Sequence, residues 1–195
     1  MTRKEQAIAN FKDGYNCAQA VFLAFGDLTG IAPEAAAAMA APFGGGFGRQ
    51  REVCGAVSGM CLALGVLYGY SDPHDMAQKT AHYGAVQALC AEFRARAGSI
   101  ICRELLSSDE GKDTAHTPSA RTEAYYKKRP CAELVGEAAD ILDAYIRRES
   151  NPQGLGRQKR ALTAGKCLAI SAYYCSIFPC HNTFLLCRSC KAPLG

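Results

Sequence analysis

Apolar and polar positions in the first 150 residues recur at helical spacing, and no stretch alternates in the way a half-buried strand does. Capping and breaking residues divide this pattern into segments: Asn16 caps a helix, Pro33 opens one and Gly98 ends another. The predicted helices cover residues 3–12, 17–25, 34–41, 51–68, 72–96, 102–107, 119–128 and 131–148. Residues 108–118 are predicted to form a loop. The pattern therefore predicts an all-α fold, a compact helical bundle.

One segment stands out because it is apolar on all sides. Residues 53–71 contain no charged side chain over 19 positions, and Gly55, Gly59, Gly65 and Gly69 lie in pairs four residues apart. This length raises the alternative of a membrane span, and such glycine spacing is typical of closely packed helices. A Gly/Ala-rich central helix, buried by the rest of the bundle, fits the composition better. We therefore expect no membrane span in residues 1–150.

The composition changes sharply after residue 150. Residues 1–150 hold 16 Lys and Arg against 18 Asp and Glu, whereas residues 151–195 hold six basic residues and no acidic one. The sequence predicts a helical four-cysteine domain over 1–150 and a basic, Cys-rich tail over 151–195 that is irregular and not part of the domain. The tail contains Cys187-Arg-Ser-Cys190, for which zinc binding is an alternative. The near-neutral body gives no reason to expect nucleic acid as a partner.

The cysteines indicate a compartment and a kind of chemistry. The N-terminal residues are charged and show no apolar secretory segment, which favours a cytoplasmic location. In a reducing compartment the eleven cysteines are better interpreted as thiols, metal ligands or catalytic groups than as a disulfide framework.

Four of the cysteines share one position in their predicted elements. Cys17, Cys54, Cys102 and Cys131 each lie in the first turn of a predicted helix. Unpaired N–H groups and the helix dipole stabilise a thiolate there, and a thiolate is the nucleophile, the reductant and the metal ligand. Cys61 and Cys90, in contrast, lie mid-helix among apolar residues and are interpreted as small buried hydrophobes.

A glycine-rich run precedes Cys54. The segment Gly44-Gly-Gly-Phe-Gly48, followed by Arg49 and Arg51, has two interpretations. It could hold an anion against backbone N–H groups. The favoured alternative is a tight turn that lets the backbone run close to Cys54.

Five short segments together carry a resemblance: GYNCAQAV (14–21), FGGGFGR (43–49), CGAVSG (54–59), ICRELL (101–106) and CAELV (131–135). In this order, over residues 1–146, they resemble the C-GCAxxG-C-C family of redox-active proteins, which is named for four cysteines and a CGAxxG element. Carried over residue by residue, the family's cysteines fall on the same four positions. The resemblance implies redox activity and an association with transporters, but no substrate.

Three hypotheses follow. In the first, the four cysteines carry thiol–disulfide or persulfide chemistry, with Cys54 as the expected nucleophile and a redox protein as partner. In the second, the same four cysteines bind zinc or an iron–sulfur cluster. In the third, the domain is a transporter-associated helical interaction protein with merely buried cysteines. The Ala- and Gly-rich helix faces suggest a homo-oligomer.

Overall fold

The computed structural model describes residues 1–150, and within this range every regular element is a helix. In chain order these elements are α1 (Arg3–Lys12), α2 (Cys17–Leu23), α3 (Gly26–Thr29), α4 (Pro33–Ala40), a 3-10 turn (Ala41–Phe43), α5 (Gly44–Phe47), α6 (Gly55–Tyr68), α7 (Met76–Ala97), α8 (Cys102–Leu105), α9 (Ser108–Lys112), α10 (Glu123–Lys128) and α11 (Cys131–Ser150). The prediction of an all-α fold is confirmed for this part of the chain. The predicted tail, residues 151–195, lies outside the described residues.

The first helices begin where side chains satisfy their free N–H groups. The Asn16 Oδ1 atom accepts hydrogen bonds from the backbone N–H groups of Ala18 and Gln19, both at 3.0 Å, and the Gln19 side chain accepts from the Asn16 N–H at 2.9 Å. This is a complete capping box. The Asn16 Nδ2 atom also donates to the carbonyl oxygen of Ala41 at 3.0 Å. The same residue therefore starts α2 and ties it to the end of α4.

The central helix, α6, packs against the start of α2. No residue of α6 is exposed, as predicted for a buried central helix. A Cβ atom placed on Gly59 would lie 2.4 Å from the carbonyl oxygen of Ala18, and one on Gly55 would lie 3.0 Å from the Cβ atom of Cys17. Both glycines are therefore required for the two helices to approach so closely.

The sequence predicts no membrane span in residues 1–150. None of the helices within residues 1–150 is both long enough and apolar enough to cross a membrane.

The predicted start of the central helix was wrong by four residues. Residues 51–54 are not helical: Arg49 and Arg51 have positive φ angles of 72° and 61°, which interrupt helical geometry. The N–H of Cys54 donates instead to the carbonyl oxygen of Ile100 at 2.8 Å. Val53 and Ile101 form an isolated antiparallel bridge, so this segment is a short two-stranded contact.

Two other segments also differ from their predictions. α7 begins at Met76, because the Asp75 side chain caps it by accepting from the Gln78 N–H at 2.9 Å. The predicted loop over 108–118 contains α9, whose first turn carries Asp109 and Glu110. Acidic residues at that position favour helix formation.

The last long helix, α11, completes the core. Its apolar side chains recur at helical spacing, and Leu134, Ala138, Ile141 and Leu142 are buried. On its flank, Glu137 accepts hydrogen bonds from Lys4 at 2.5 Å and from Arg96 at 3.0 Å. These bonds connect α11 to α1 and α7 and hold its first residue, Cys131, over the start of α2.

The close contact of α6 with α2 can be tested by adding one methyl group. Gly59→Ala should destabilise the protein by about 1–3 kcal/mol, because the new Cβ would overlap the Ala18 carbonyl oxygen. Gly65→Ala is the matched control in the same helix, since a Cβ there meets nothing within 4 Å. That control should gain about 0.5–1 kcal/mol from helix propensity. Urea unfolding followed by circular dichroism measures both. Equal effects of the two substitutions would contradict the packing argument.

A cavity lined by four cysteines

The four cysteines selected from the sequence line a single small cavity. Its volume is about 10 Å³, which is room for roughly one water-sized atom. Its wall is otherwise apolar and includes Leu105, Leu106 and Leu134, alongside Cys17, Cys54, Cys102 and Cys131. All four cysteines are free thiols. Residues more than 100 positions apart in the chain thus contribute to one site.

Each of these cysteines stands at the start of a helix. Cys17, Cys102 and Cys131 are the first residues of α2, α8 and α11, and Cys54 is the N-cap of α6. The first N–H groups of a helix have no partner within the helix, and some of them can donate to a sulfur. The Cys54 sulfur accepts from the N–H groups of Ala56 and Val57. The cavity is therefore bordered by hydrogen-bond donors that favour sulfur anions.

Backbone pairing positions two of the cysteines. The segments 51–54 and 100–103 run antiparallel, with the Cys102 N–H donating to the Glu52 carbonyl oxygen at 2.6 Å and the Cys54 N–H donating to that of Ile100 at 2.8 Å. Cys54 and Cys102 are therefore fixed by main-chain hydrogen bonds that do not depend on their side chains.

The glycine-rich run packs against two of the four cysteines, Cys17 and Cys102. Gly45 and Gly46 have φ angles of +64° and +70°, which side-chain-bearing residues rarely adopt. The Gly45 N–H donates to the Cys17 sulfur. A Cβ atom on Gly46 would lie 2.9 Å from the Cys102 Cβ. This geometry supports the tight-turn interpretation of the run, with Cys17 and Cys102 as its neighbours.

The thiols of Cys17 and Cys131, which both line the cavity, shift each other's pKa. The Cys131 thiol donates a hydrogen bond to the Cys17 sulfur, which lowers the pKa of Cys17. The positive charge of Arg121 lowers this pKa further. The same hydrogen bond and burial raise the pKa of Cys131 well above its ordinary value. Cys17 is therefore the more acidic of the two thiols, and its residue is half-buried whereas Cys131 is buried.

Burial governs the other two cysteines. It is the main cause that raises the pKa of both Cys54 and Cys102, and the negative charge that Cys17 would carry raises both further. These two thiols are thus expected to stay protonated when Cys17 is ionised. Among the four thiols, Cys17 is thus the one with a lowered pKa, whereas the pKa of Cys54, the nucleophile expected from the sequence, is raised.

Arginines provide the positive charge around the site. Arg51 is 2 % exposed and Arg129 is 7 % exposed, and the Arg51 guanidinium donates to the Cys102 sulfur. Arg51 lies near Asp113, at 3.9 Å, and Arg129 pairs with Glu110. Two of their donors, Arg51 Nη2 and Arg129 Nε, have no other hydrogen-bond partner in the described part of the chain. Buried positive charge of this kind stabilises thiolates.

Sequence reasoning missed Arg121 and Arg129. Arg129 could have been identified from the sequence, because it is a cation two residues before Cys131. Arg121 could not have been identified, because it lies in a polar segment of the sequence. Only the fold lets it donate hydrogen bonds to the carbonyl oxygens of Phe11 and Tyr15, at 3.1 Å each.

Comparison with protein-family models identifies the family of the chain. Residues 15–145 match the family model described as "Putative redox-active protein (C_GCAxxG_C_C)". The chain therefore belongs to this redox-active family, as the resemblance in its sequence indicated, and the matched region includes all four cysteines of the cavity. No curated protein and no solved structure matches the chain significantly.

The acidity of Cys17 can be measured by alkylation. The rate at which Cys17 reacts with iodoacetamide should rise with pH, with a midpoint below the pKa of an ordinary thiol. The reason is that the Cys131 thiol and Arg121 stabilise the Cys17 anion. Cys131→Ala removes the hydrogen-bond donor. It should raise the pKa of Cys17 and slow alkylation at pH 7, by roughly tenfold for each unit of pKa.

Cys131→Ser is the matched control, since its hydroxyl can still donate to the Cys17 sulfur. It should keep most of the wild-type rate. Peptide mass spectrometry assigns the label, because the tryptic peptide 13–49 contains Cys17 as its single cysteine. Equal rates for the Ala and Ser variants would contradict the role of the Cys131 donor.

Proposed function

We propose that the protein is a thiol oxidoreductase in which Cys17 and Cys131 cycle between a dithiol and a disulfide. The observation that carries this proposal is that the two thiols line one small cavity, where the Cys131 thiol and Arg121 lower the pKa of Cys17. The site combines Cys17, a thiol of lowered pKa, with Cys131, a second thiol in the same cavity that can displace the partner from a mixed disulfide on Cys17. Thiol–disulfide exchange requires this arrangement. Membership of a redox-active family supports the same conclusion.

The exchange would proceed in two displacements. The Cys17 thiolate attacks one sulfur of a partner's disulfide, forms a mixed disulfide and releases the partner's other sulfur as a thiolate. Cys131 then attacks the Cys17 sulfur, forms the Cys17–Cys131 disulfide and releases the second partner sulfur. The partner's two sulfurs take up the two electrons, and they end as thiols when the Cys131 proton and one from solvent have been taken up.

The pKa values of Cys17 and Cys131 determine which thiol reacts first. While Cys17 is ionised, its charge and hydrogen bond hold Cys131 in the protonated form. Once Cys17 is part of a mixed disulfide, that negative charge is gone and Cys131 becomes easier to deprotonate. The resolving thiol is thus activated only after the first displacement.

Cys54 and Cys102 would act as protonated walls of the cavity. Both are buried, and their positions are set by main-chain hydrogen bonds. Their thiols keep the space beside the reacting sulfurs small and apolar, and charge interactions such as that between Arg121 and the Cys17 thiolate are stronger in such a setting.

Metal or iron–sulfur binding is the second candidate, because four thiols line one cavity. Among the described residues, however, no group of three or more His, Cys, Asp or Glu side chains is arranged as a metal site. The four thiols as placed do not fit an ion. Association with a transporter remains a prediction without a structural observation to support it.

Disulfide mapping tests the oxidoreductase proposal. The full chain, purified and reduced without oxygen, is treated with glutathione disulfide, blocked with N-ethylmaleimide and digested with trypsin without reduction. A cross-link should join peptide 13–49 to peptide 129–147, since these contain Cys17 and Cys131 and no other cysteine. It should disappear on treatment with dithiothreitol.

Variants and metal analysis complete this experiment. Cys17→Ser and Cys131→Ser should each abolish the cross-link, whereas Cys90→Ser, outside the cavity, should keep it. Metal content and the visible spectrum are recorded on the sample before reduction. Stoichiometric zinc or iron with all four cavity thiols protected from alkylation would overturn the proposal in favour of the metal hypothesis.

A further inference from the structure

Aromatic and cationic side chains form a cluster between α1 and the start of α11. The Arg121 guanidinium lies over the Phe11 ring, 4.3 Å from its centroid, and over the Tyr125 ring, 5.1 Å from its centroid. The Arg129 guanidinium lies over the Tyr125 ring as well, at 4.8 Å. We call these four residues the cation–aromatic cluster. The Tyr125 ring thus contacts both guanidinium groups.

The short helix α10 sets the spacing within this cluster. Tyr125 lies in α10, and Arg121 and Arg129 lie just outside its two ends, four residues before and four residues after Tyr125. Side chains four residues apart meet on one side of a helical turn. The Thr122 hydroxyl caps α10 by accepting a hydrogen bond from the Tyr125 N–H at 3.2 Å. This cap fixes the turn that brings Tyr125 to Arg121.

The two arginines belong to the segments that lead into the cysteines of the proposed pair. Arg121 Nη2 donates a hydrogen bond at 3.1 Å to the carbonyl oxygen of Tyr15, which precedes Cys17 by two residues. Arg129 itself precedes Cys131 by two residues. The ring that both arginines contact therefore connects the segment before one thiol to the segment before the other.

A neutral aromatic ring is well suited to this position. The face of an aromatic ring is electron-rich and attracts cations, whereas two guanidinium groups with no such ring beside them repel each other. Burial raises the pKa of Tyr125 to about 12. The phenol therefore stays neutral at the pH values at which an ordinary thiol ionises, and the ring holds both arginines throughout that range.

We propose that Tyr125 is a positioning residue for the Cys17–Cys131 pair, because its ring holds Arg121 at the segment before Cys17 and Arg129 at the segment before Cys131. This inference rests on the proposed oxidoreductase function. Tyr125 does not line the cavity, so it acts through the arginines and not by touching the reacting sulfurs. The charge of Arg121 lowers the pKa of Cys17, which gives the role of Tyr125 a measurable consequence.

Alkylation of the reduced full chain tests the inference through the Cys17 thiolate. Tyr125→Leu removes the ring that holds Arg121. The rate of iodoacetamide labelling at pH 7, read on peptide 13–49, should fall roughly threefold to tenfold, as the pKa of Cys17 rises by about half a unit to one unit. The midpoint of the pH–rate profile should move upward by the same amount. Tyr125→Phe keeps the ring and should retain the wild-type profile.

Tyr126→Leu is the matched control. Tyr126 is the adjacent aromatic residue of α10, and its ring meets those of Phe11 and Tyr125 edge-on, at 6.0 Å and 5.3 Å. Within residues 1–150 the guanidinium groups of the cluster lie over Phe11 and Tyr125 and not over Tyr126. The control should therefore shift the profile much less than Tyr125→Leu. Equal shifts from the two substitutions would reduce Tyr125 to a packing residue and overturn the inference.

A double-mutant cycle checks that Tyr125 acts through Arg121. Arg121→Gln should raise the midpoint, and adding Tyr125→Leu should raise it little further, because the cation that the ring holds is already gone. Additive shifts would contradict this route. Circular dichroism verifies the fold, and Tyr125→Met, a flexible side chain without a ring, replaces Tyr125→Leu if that variant does not fold.

Disulfide mapping of the same proteins separates this inference from the proposed function. Alkylation needs only the Cys17 thiolate, so it is measurable whether or not peptides 13–49 and 129–147 become cross-linked. An uncross-linked wild type with the expected Tyr125 profiles would contradict the oxidoreductase proposal and still support the positioning of Arg121 at Cys17. A cross-linked wild type whose Tyr125→Leu variant keeps the wild-type profile would overturn the role of Tyr125 alone.

Discussion

The close approach of α6 to the start of α2 is the contact on which the rest of the structure depends. It requires bare backbone at Gly55 and Gly59, because any side chain there would overlap α2 at Cys17 or Ala18. This approach puts the N-cap of one helix beside the first residue of the other, and so places Cys54 next to Cys17. The glycines of the CGAVSG segment thus have a packing role that directly creates the cavity.

Electrostatic balance then decides what the clustered sulfurs can do. Four thiols in a small, apolar cavity cannot all ionise, because like charges in a poorly solvated space repel strongly. The hydrogen bond from Cys131 and the nearby Arg121 favour the anion on Cys17, while burial disfavours it on Cys54 and Cys102. The site therefore has one acidic thiol among protonated neighbours.

Local signals in the sequence were good guides where the structure is local. Asn16 was predicted as a cap from residue type alone, and the buried face of α11 followed from apolar spacing. The start of α6 was misplaced because positive φ angles at Arg49 and Arg51 arise from tertiary contacts, including hydrogen bonds from both arginines to the segment 113–115. Neither arginine has an intrinsic preference for that conformation, so no local pattern indicated the break.

By itself, the sequence determined the all-α class, the helix starts that present Cys17, Cys102 and Cys131, and the family to which the chain belongs, because capping, periodicity and motif order are properties of short segments. The tertiary structure alone decided which thiols come together. Cys17, Cys54, Cys102 and Cys131 come to line one cavity because helices far apart in the chain pack together. The spacing of residues in the sequence does not specify which cysteines come together. It therefore does not specify which of their sulfurs is the acidic one.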